Sequence, residues 1–237
     1  MLLKTNLHFH TADDKRDSIR YSFEAGIDAA ARLGFQTLAL SCHDHVVFSP
    51  RHHSYAASRG IMLLPGIELD IKHRHVLILN AEPDVERVSD FSGLSRYRAD
   101  HPDCFILAPH PFFPGDSSLM ELLEPNIALF DAIEQSWFYS RLINPFNRKA
   151  ERIASANHLP FVSTSDTHDL RWLDTNYIVV DAKEKTPAAL FQAIRSGHFS
   201  NVTAPRSFVR ELLPLAGKIL AERVGRTCSG KRSARAV

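Results

Sequence analysis

The chain has 237 residues, of which 44% are hydrophobic and 23% are charged, a balance typical of a globular protein with a sizeable core. The formal net charge of +1 provides no bulk attraction to nucleic acid or membrane, and no apolar run approaches the roughly 18 residues of a transmembrane helix. The three cysteines form no CxxC motif, and the first residues lack the apolar stretch of a signal peptide. We therefore expect a cytoplasmic protein without a disulfide framework.

Apolar strands alternate with amphipathic helices along the chain. The first helix is expected to start near Ile19 and to end at Gly34, and two more are predicted over about 146–157 and 187–196. Repeated βα units predict a largely parallel sheet closed into a barrel, with its functional groups at the carboxyl ends of the strands. The predicted strands cover residues 3–9, 36–41, 61–67, 75–80, 104–108, 129–134, 161–164 and 177–181.

Five of these strands end in residue types that bind metal ions. His8 and His10 are two positions apart, so strand alternation points their imidazoles to the same side. The other four strand ends supply His43, Glu68, His110 and the pair Asp166 and His168. Core packing alone does not explain why ligand-type residues recur at this position.

His75 begins a strand instead of ending one. It follows Glu68 by seven residues, across a polar stretch. A hairpin there would bring His75 back beside Glu68, which makes the predicted barrel irregular.

Imidazoles and carboxylates suit divalent zinc, manganese or iron. The candidates exceed what one ion with an open position needs, so two or three ions are implied, and Glu68 is suited to bridge two of them. Such ions make hydroxide available near neutral pH and hold the oxygens of a phosphoryl group. The candidate ligands are His8, His10, Asp14, His43, Glu68, His75, His110, Asp166 and His168.

These segments, in this order, resemble the PHP (polymerase and histidinol phosphatase) superfamily of metal-dependent phosphoesterases over about residues 1–200. The resemblance implies a distorted seven-stranded (β/α)7 barrel with up to three metal ions. It implies further that His8, His10, Glu68 and Asp166 surround one ion. The motifs are Leu7-His8-Phe9-His10-Thr11, Ser41-Cys42-His43, Gly66-Ile67-Glu68 with His75-Val76-Leu77, Ala108-Pro109-His110-Pro111 and Ser165-Asp166-Thr167-His168.

The same resemblance implies the two other metal positions. Glu68, His75 and His110 would hold a second ion, and His43 and His168 a third together with an acidic residue. Because the chain lacks the glycine-containing sequence that the family usually has there, this acid could be Asp13, Asp14 or Asp17. The candidate ligands named above include Asp14.

Cys42 stands where the family usually has an aspartate. Its thiol is either a small buried filler or a soft group close to the metal site.

Other residues are candidates for contacting the substrate at the mouth of the barrel. Glu134 ends a strand there, and Arg20 and Arg141 follow strand ends and could grip a phosphate with a planar guanidinium. The aromatic loop 137–139 follows Glu134 and either stacks on a base or roofs the core. The expected catalytic residues are Glu68, Asp166 and His168.

The chain divides into a phosphoesterase domain over residues 1–205, a helix over 206–226 that packs back on it, and a tail over 227–237 that is expected to be disordered. Pro214 is expected to break or kink that helix.

The predicted function is hydrolysis of a small phosphomonoester or nucleotide by metal-activated hydroxide at a two- or three-metal centre. One alternative is an exonuclease or phosphodiesterase acting on single-stranded nucleic-acid ends, which the near-neutral charge does not favour. Another is C–N bond hydrolysis, but such barrel enzymes typically carry a metal-bridging lysine, and none stands at these strand ends. A third is a non-catalytic, metal-stabilised binding module, although structural sites are usually rich in cysteine. The sequence does not specify an oligomeric state.

Overall fold

A computed structural model of the chain describes residues 1–214 and residue 217. Its centre is one mixed sheet of nine strands, and all eight strands predicted from the sequence are present. The ninth strand follows the helix predicted over 187–196 and was not expected. The strands are β1 (Leu2–Phe9), β2 (Thr37–Leu40), β3 (Met62–Ile71), β4 (Arg74–Leu79), β5 (Phe105–Ala108), β6 (Ala132–Gln135), β7 (Phe161–Ser163), β8 (Asn176–Asp181) and β9 (Phe199–Thr203).

The sheet has nine strands, whereas the resemblance implied a distorted seven-stranded (β/α)7 barrel. Its strand order is β7-β6-β5-β4-β3-β2-β1-β8-β9. The pairs β1–β2, β2–β3, β5–β6 and β6–β7 are parallel, whereas β4, β8 and β9 pair antiparallel with their neighbours. The difference arises because β4 returns from β3 through a tight hairpin, and because β9 pairs antiparallel with β8 although a helix-containing segment joins them.

The two edges of the sheet approach each other and nearly close the barrel. Asn201 of β9 connects them, because its side chain accepts a hydrogen bond from the Ser163 amide at 2.8 Å and donates one to the Phe161 carbonyl at 2.8 Å. An amide side chain thus satisfies the edge groups of β7 that an adjacent strand would otherwise pair.

Five α-helices lie within residues 1–212, with polar residues capping most of their first turns. The first begins at Phe23 and not near Ile19, because Ser22 accepts a hydrogen bond from the Ala25 amide as its N-cap. Gly34 follows its end with φ +79°, as expected for a helix stop. Two helices were not predicted from the sequence, α2 and α3. The helices are α1 (Phe23–Arg32), α2 (Pro50–Ser58), α3 (Phe91–Asp100), α4 (Pro145–Ala156) and α5 (Pro187–Arg195).

The barrel interior is apolar at one end and polar at the other. On β3, Leu64 and Glu68 share one face, and on β6 so do Ala132 and Glu134. Leu64 and Ala132 belong to a buried cluster that α5 closes with Phe191. The apolar end anchors the strands, and their carboxyl ends gather the polar residues.

Beyond β9, Phe208–Leu212 forms a short helical turn, and Leu212 is buried. Most of the predicted helix over 206–226 and the whole tail over 227–237 lie outside the described residues. Within the described part, no helix is long and apolar enough to cross a membrane.

Candidate metal centre

His8 and His10 enter the barrel from the end of β1. Leu7 packs in the interior apolar cluster, yet the next residue, His8, contacts Glu68 and Glu134 inside the same barrel. Regular alternation would place Leu7 and His8 on opposite faces. The pairing of β1 with β2 shifts register between Asn6 and Phe9, and this irregularity brings both histidines into the barrel.

Glu68 is the centre of the site. Its Oε1 lies 2.8 Å from His75 Nδ1 and 2.9 Å from His110 Nε2. Its Oε2 lies 3.0 Å from His43 Nε2 and 3.2 Å from His8 Nε2. The side chain is 1% exposed, so this carboxylate is in contact with imidazoles contributed by four separate segments of the chain.

The hairpin predicted for His75 is present. Strands β3 and β4 are joined by Lys72 and His73, which both have positive φ angles, as two-residue hairpin turns require. Glu68 pairs with Leu77 in this ladder, and His75 therefore reaches Glu68 from the neighbouring strand.

Asp166 completes the inner group. Its Oδ1 lies 3.4 Å from the Nε2 atoms of both His8 and His10 and 3.3 Å from His168 Nδ1. Asp166 and His110 both have left-handed backbone, with φ 45° and φ 56°. Non-glycine residues adopt this conformation at a cost, and here it directs both side chains into the site.

Three sets of side chains bring their ligand atoms within 4.8 Å of one another. Glu68 is a member of two of them, as a bridging carboxylate would be. The sets are His8, His10, Glu68 and Asp166; His10, Asp14 and His43; and His43, Glu68 and His75.

Two buried carboxylates hold the outer nitrogens of these histidines. Glu134 Oε2 lies 2.9 Å from His8 Nδ1, and Asp14 Oδ2 lies 3.0 Å from His10 Nδ1 and 2.8 Å from His43 Nδ1. Because each Nδ1 has a carboxylate partner, the opposite Nε2 atoms are left to face the centre. Glu134 therefore supports His8 from behind and does not line the cavity as a substrate contact.

Of the three acids left open by the sequence, Asp17 lines the cavity. Its Oδ2 lies 2.8 Å from His168 Nε2 at the mouth. Asp14 is buried behind His10 and His43, and Asp13 is exposed and accepts from the Thr11 hydroxyl. Asp17 and His168 form a more accessible pair beside the inner cluster.

The charges of the cluster stabilise one another. Burial alone lowers the pKa of His43 and His168, but nearby carboxylates outweigh it and raise these pKa values to about 10 and about 11. Burial raises the pKa of Glu68 and Asp166, but the surrounding imidazoles hold both well below the usual range.

Several inward-facing atoms have no hydrogen-bond partner among the described residues. They include His8 Nε2, His10 Nε2, His75 Nε2 and Asp166 Oδ1, all of them buried. Buried polar atoms are normally paired, and neutral imidazole nitrogens with carboxylate oxygens are the donor set of borderline divalent metals. These residues therefore fit a centre that holds such ions.

The open space beside Glu68 is a cavity of about 170 Å³, which His43, His75, His110 and Asp166 also line. Arg20 and Arg141 are exposed, and neither is among the described residues that line this cavity or the larger one beside it. Their predicted role in binding substrate therefore has no geometric support.

Cys42 points away from the cluster. It is fully buried in an apolar group around α1, with its sulfur 4.0 Å from the Thr11 hydroxyl, and burial raises the pKa of its thiol to about 12. This environment favours the reading of Cys42 as a buried filler.

Sequence reasoning missed part of the mouth. Trp172 and Arg206 line a second cavity of about 410 Å³ next to the first, together with Trp137 of the aromatic loop. No local pattern marks Arg206, because it follows an unpredicted strand. Trp172 stands four residues after His168, where a motif-based reading stops.

A family model described as PHP-associated matches residues 144–199. No curated protein matches the chain. Among solved structures, the chain is similar to a two-domain protein from Bacteroides vulgatus that contains a predicted PHP-like metal-dependent phosphoesterase. That match has a TM-score of 0.66 and 18% identity, and it covers 86% of this chain and 65% of the other.

The chain is also similar to the lesion-specific endonuclease Q of Pyrococcus furiosus, with a TM-score of 0.63 and 17% identity over 85% of this chain and 58% of that one. Endonuclease Q in complex with a 27-mer duplex carrying an abasic lesion at its active site gives a TM-score of 0.60 at 15% identity, with the same coverage of 85% and 58%. The chain thus spans about three fifths of the length of these proteins.

Proposed function

We propose that the chain belongs to the PHP superfamily and that it hydrolyses phosphate esters at a centre of two or three divalent ions. The observation that carries this proposal is the convergence of imidazoles from four separate segments on Glu68, with buried ring nitrogens left unpaired. When bound, zinc, manganese or iron would polarise phosphoryl oxygens and lower the pKa of a water molecule.

The side chains divide into two roles in this proposal. His8, His10, Glu68 and Asp166 would hold one ion, and Glu68 with His75 and His110 a second, so that Glu68 bridges the two. Glu134 and Asp14 fix the ring orientation of these histidines through Nδ1, which keeps each Nε2 aimed at the centre.

His43 and His168 belong to the third proposed position. We assign Asp17 as its acid, because Asp17 lines the cavity with His168 whereas Asp14 is occupied behind His10 and His43. His168 is about one third exposed, which suits a group that exchanges protons with solvent or with a leaving oxygen. Glu68, Asp166 and His168 remain the proposed catalytic residues.

The decisive experiment compares Asp166→Asn with the matched control Asp103→Asn, an exposed residue just before β5. Asp166→Asn should reduce hydrolysis of p-nitrophenyl phosphate by more than roughly 100-fold. Removing a group that only supports a metal ligand costs up to about that factor, and Asp166 is proposed as a ligand itself. Elemental analysis of wild type should find more than one equivalent of transition metal per chain. Normal rates in Asp166→Asn, or a metal-free and fully active wild type, would refute the proposal.

A second candidate function is cleavage of nucleic acid, favoured by the structural similarity to the lesion-specific endonuclease Q. A panel of mononucleotides and single-stranded oligonucleotides separates the two. Activity confined to oligonucleotides, with a steep loss as salt rises, would indicate a nuclease.

A further inference from the structure

The larger cavity adjoins the metal centre directly. It has a volume of about 410 Å³ and shares Trp137, Asp166 and His168 with the smaller cavity of about 170 Å³. Sites for organic ligands usually measure roughly 300–1,000 Å³, so the larger cavity is of that size and the smaller one is not. A phosphoester whose phosphoryl group lies beside Glu68 therefore has room for its organic part in the larger cavity.

Arg206 lies in the wall of this cavity, and its guanidinium has no hydrogen-bond partner among the described residues. It is 7% exposed, and its guanidinium makes no hydrogen bond or ion pair with any described residue. Its Nε and Nη1 atoms are buried and unsatisfied. An unpaired buried donor is costly, and a ligand with an oxygen acceptor would remove that cost.

Two indole rings fix the orientation of Arg206. Its Cζ lies 3.5 Å from the centre of the Trp172 ring and 5.1 Å from that of Trp137. The backbone amide of Arg206 donates to the Tyr139 carbonyl at 2.8 Å, which ties the segment to the aromatic loop. An arginine that packs against an aromatic ring keeps its N–H donors available to an acceptor lying in the plane of the guanidinium.

The carboxylates around the cavity affect whether the ligand group that accepts from Arg206 can be an anion. Asp169 is held by a bidentate contact from Arg171, and Glu211 accepts from the Ser207 amide, so neither neutralises Arg206 through a direct contact. Together with Asp166 they nevertheless keep the surroundings acidic, which works against a second phosphate or carboxylate. A neutral carbonyl on a planar ring suits both the indole walls and the donor edge.

We propose that the cavity formed by Trp137, Trp172 and Arg206 binds the leaving group of the phosphoester, and that it selects a carbonyl-bearing aromatic base, as in a nucleoside monophosphate. The inference rests on the proposed hydrolase function and adds its substrate class. Trp137 and Trp172 supply the stacking surfaces, and the Arg206 edge donates to the carbonyl oxygen.

The test compares GMP with ribose 5-phosphate, which has the same ester without the base. Stacking of one base is worth about tenfold or more in kcat/KM, so GMP should be preferred by at least that factor. Arg206→Gln should reduce kcat/KM for GMP about tenfold and leave ribose 5-phosphate unchanged. Arg210→Gln, which removes an exposed arginine four residues later, should change neither.

Fluorescence provides a readout independent of turnover, because the two tryptophans of the chain both line this cavity. Guanosine should quench the emission of wild type and not that of Arg206→Gln, with circular dichroism as the check on folding. Trp172→Leu, which keeps the arginine, should also lose the preference for GMP.

Each failure has a distinct signature. Hydrolysis of GMP and ribose 5-phosphate at equal rates, without quenching by guanosine, would overturn the leaving-group cavity and leave the hydrolase proposal intact. Equal loss on both substrates in Arg206→Gln would also overturn it. Quenching by guanosine in a protein that hydrolyses no phosphoester would reject the hydrolase and retain the cavity as a base-binding site.

Discussion

Two buried charged clusters in this barrel, one around Asp131 and one around Glu68, differ in whether the protein itself pairs their hydrogen-bonding groups. Asp131 accepts hydrogen bonds from Arg98, from Arg195 and from the Ile106 amide, so both of its oxygens are satisfied by the protein. The cluster around Glu68 is buried as deeply, yet ring nitrogens of His8 and His10 have no partner. A complete network stabilises the fold, whereas an incomplete one is built for something that binds to it.

The largest effect on stability should come from the complete cluster. Asp131→Ala leaves Arg98 and Arg195 without their carboxylate. Removing one partner of a buried pair costs about 3–5 kcal/mol, reduced here to about 2–3 kcal/mol because both arginines are partly exposed. Thermal unfolding should show a Tm lower by roughly 4–12 °C.

The activity per folded molecule of Asp131→Ala should match wild type, since Asp131 does not line the metal-site cavity. The control is Asp174→Ala, which removes an ion pair with Lys4 nearer the surface and should lower stability far less. Equal Tm values for the two variants would contradict the expectation that the network around Asp131 stabilises the fold more than the ion pair of Asp174 does.

Glu134→Gln tests whether Glu134 supports the cluster around Glu68 by holding the His8 ring. The change removes the negative charge behind His8 Nδ1 and should weaken metal affinity or activity by roughly tenfold to a hundredfold. Stability without metal should change little by comparison with Asp131→Ala. Titration of metal into the apo protein, with exposed Glu124→Gln as control, measures the loss, and an unaltered affinity would assign Glu134 to packing alone.

Metal binding should release protons. His43 and His168, with pKa values raised to about 10 and about 11, are protonated at pH 7 when no metal is bound, and a ligating imidazole must be neutral. Affinity should therefore rise with pH, by about tenfold per pH unit for each proton displaced. Calorimetry in two buffers of different ionisation enthalpy counts those protons, and an affinity that is constant between pH 6 and 8 would contradict this expectation.

The chain's own pattern revealed most of the metal cluster. His8 lies near the end of β1 and Asp166 follows β7, whereas Glu68 lies within β3, which continues to Ile71 beyond the predicted end at residue 67. Each of the three follows an apolar run that can be recognised from a few neighbouring residues. The position of His75 followed from a short polar stretch, because hairpin pairing is local in sequence. The ordering of nine strands and the antiparallel pairing of β8 with β9 did not follow, since register and closure depend on contacts between distant segments.

Local order along the polypeptide therefore determined which residue types stand at the ends of the strands, and with them the chemistry of the central carboxylate and imidazoles. Only the tertiary structure decided which acid meets His168 and which arginine borders the site. Asp17 and Asp14 are indistinguishable by spacing, and Arg206 is brought beside Trp137 and Trp172 by a strand pairing between β8 and β9. Packing between distant segments determines which side chains become neighbours, and the identity of a side chain alone does not.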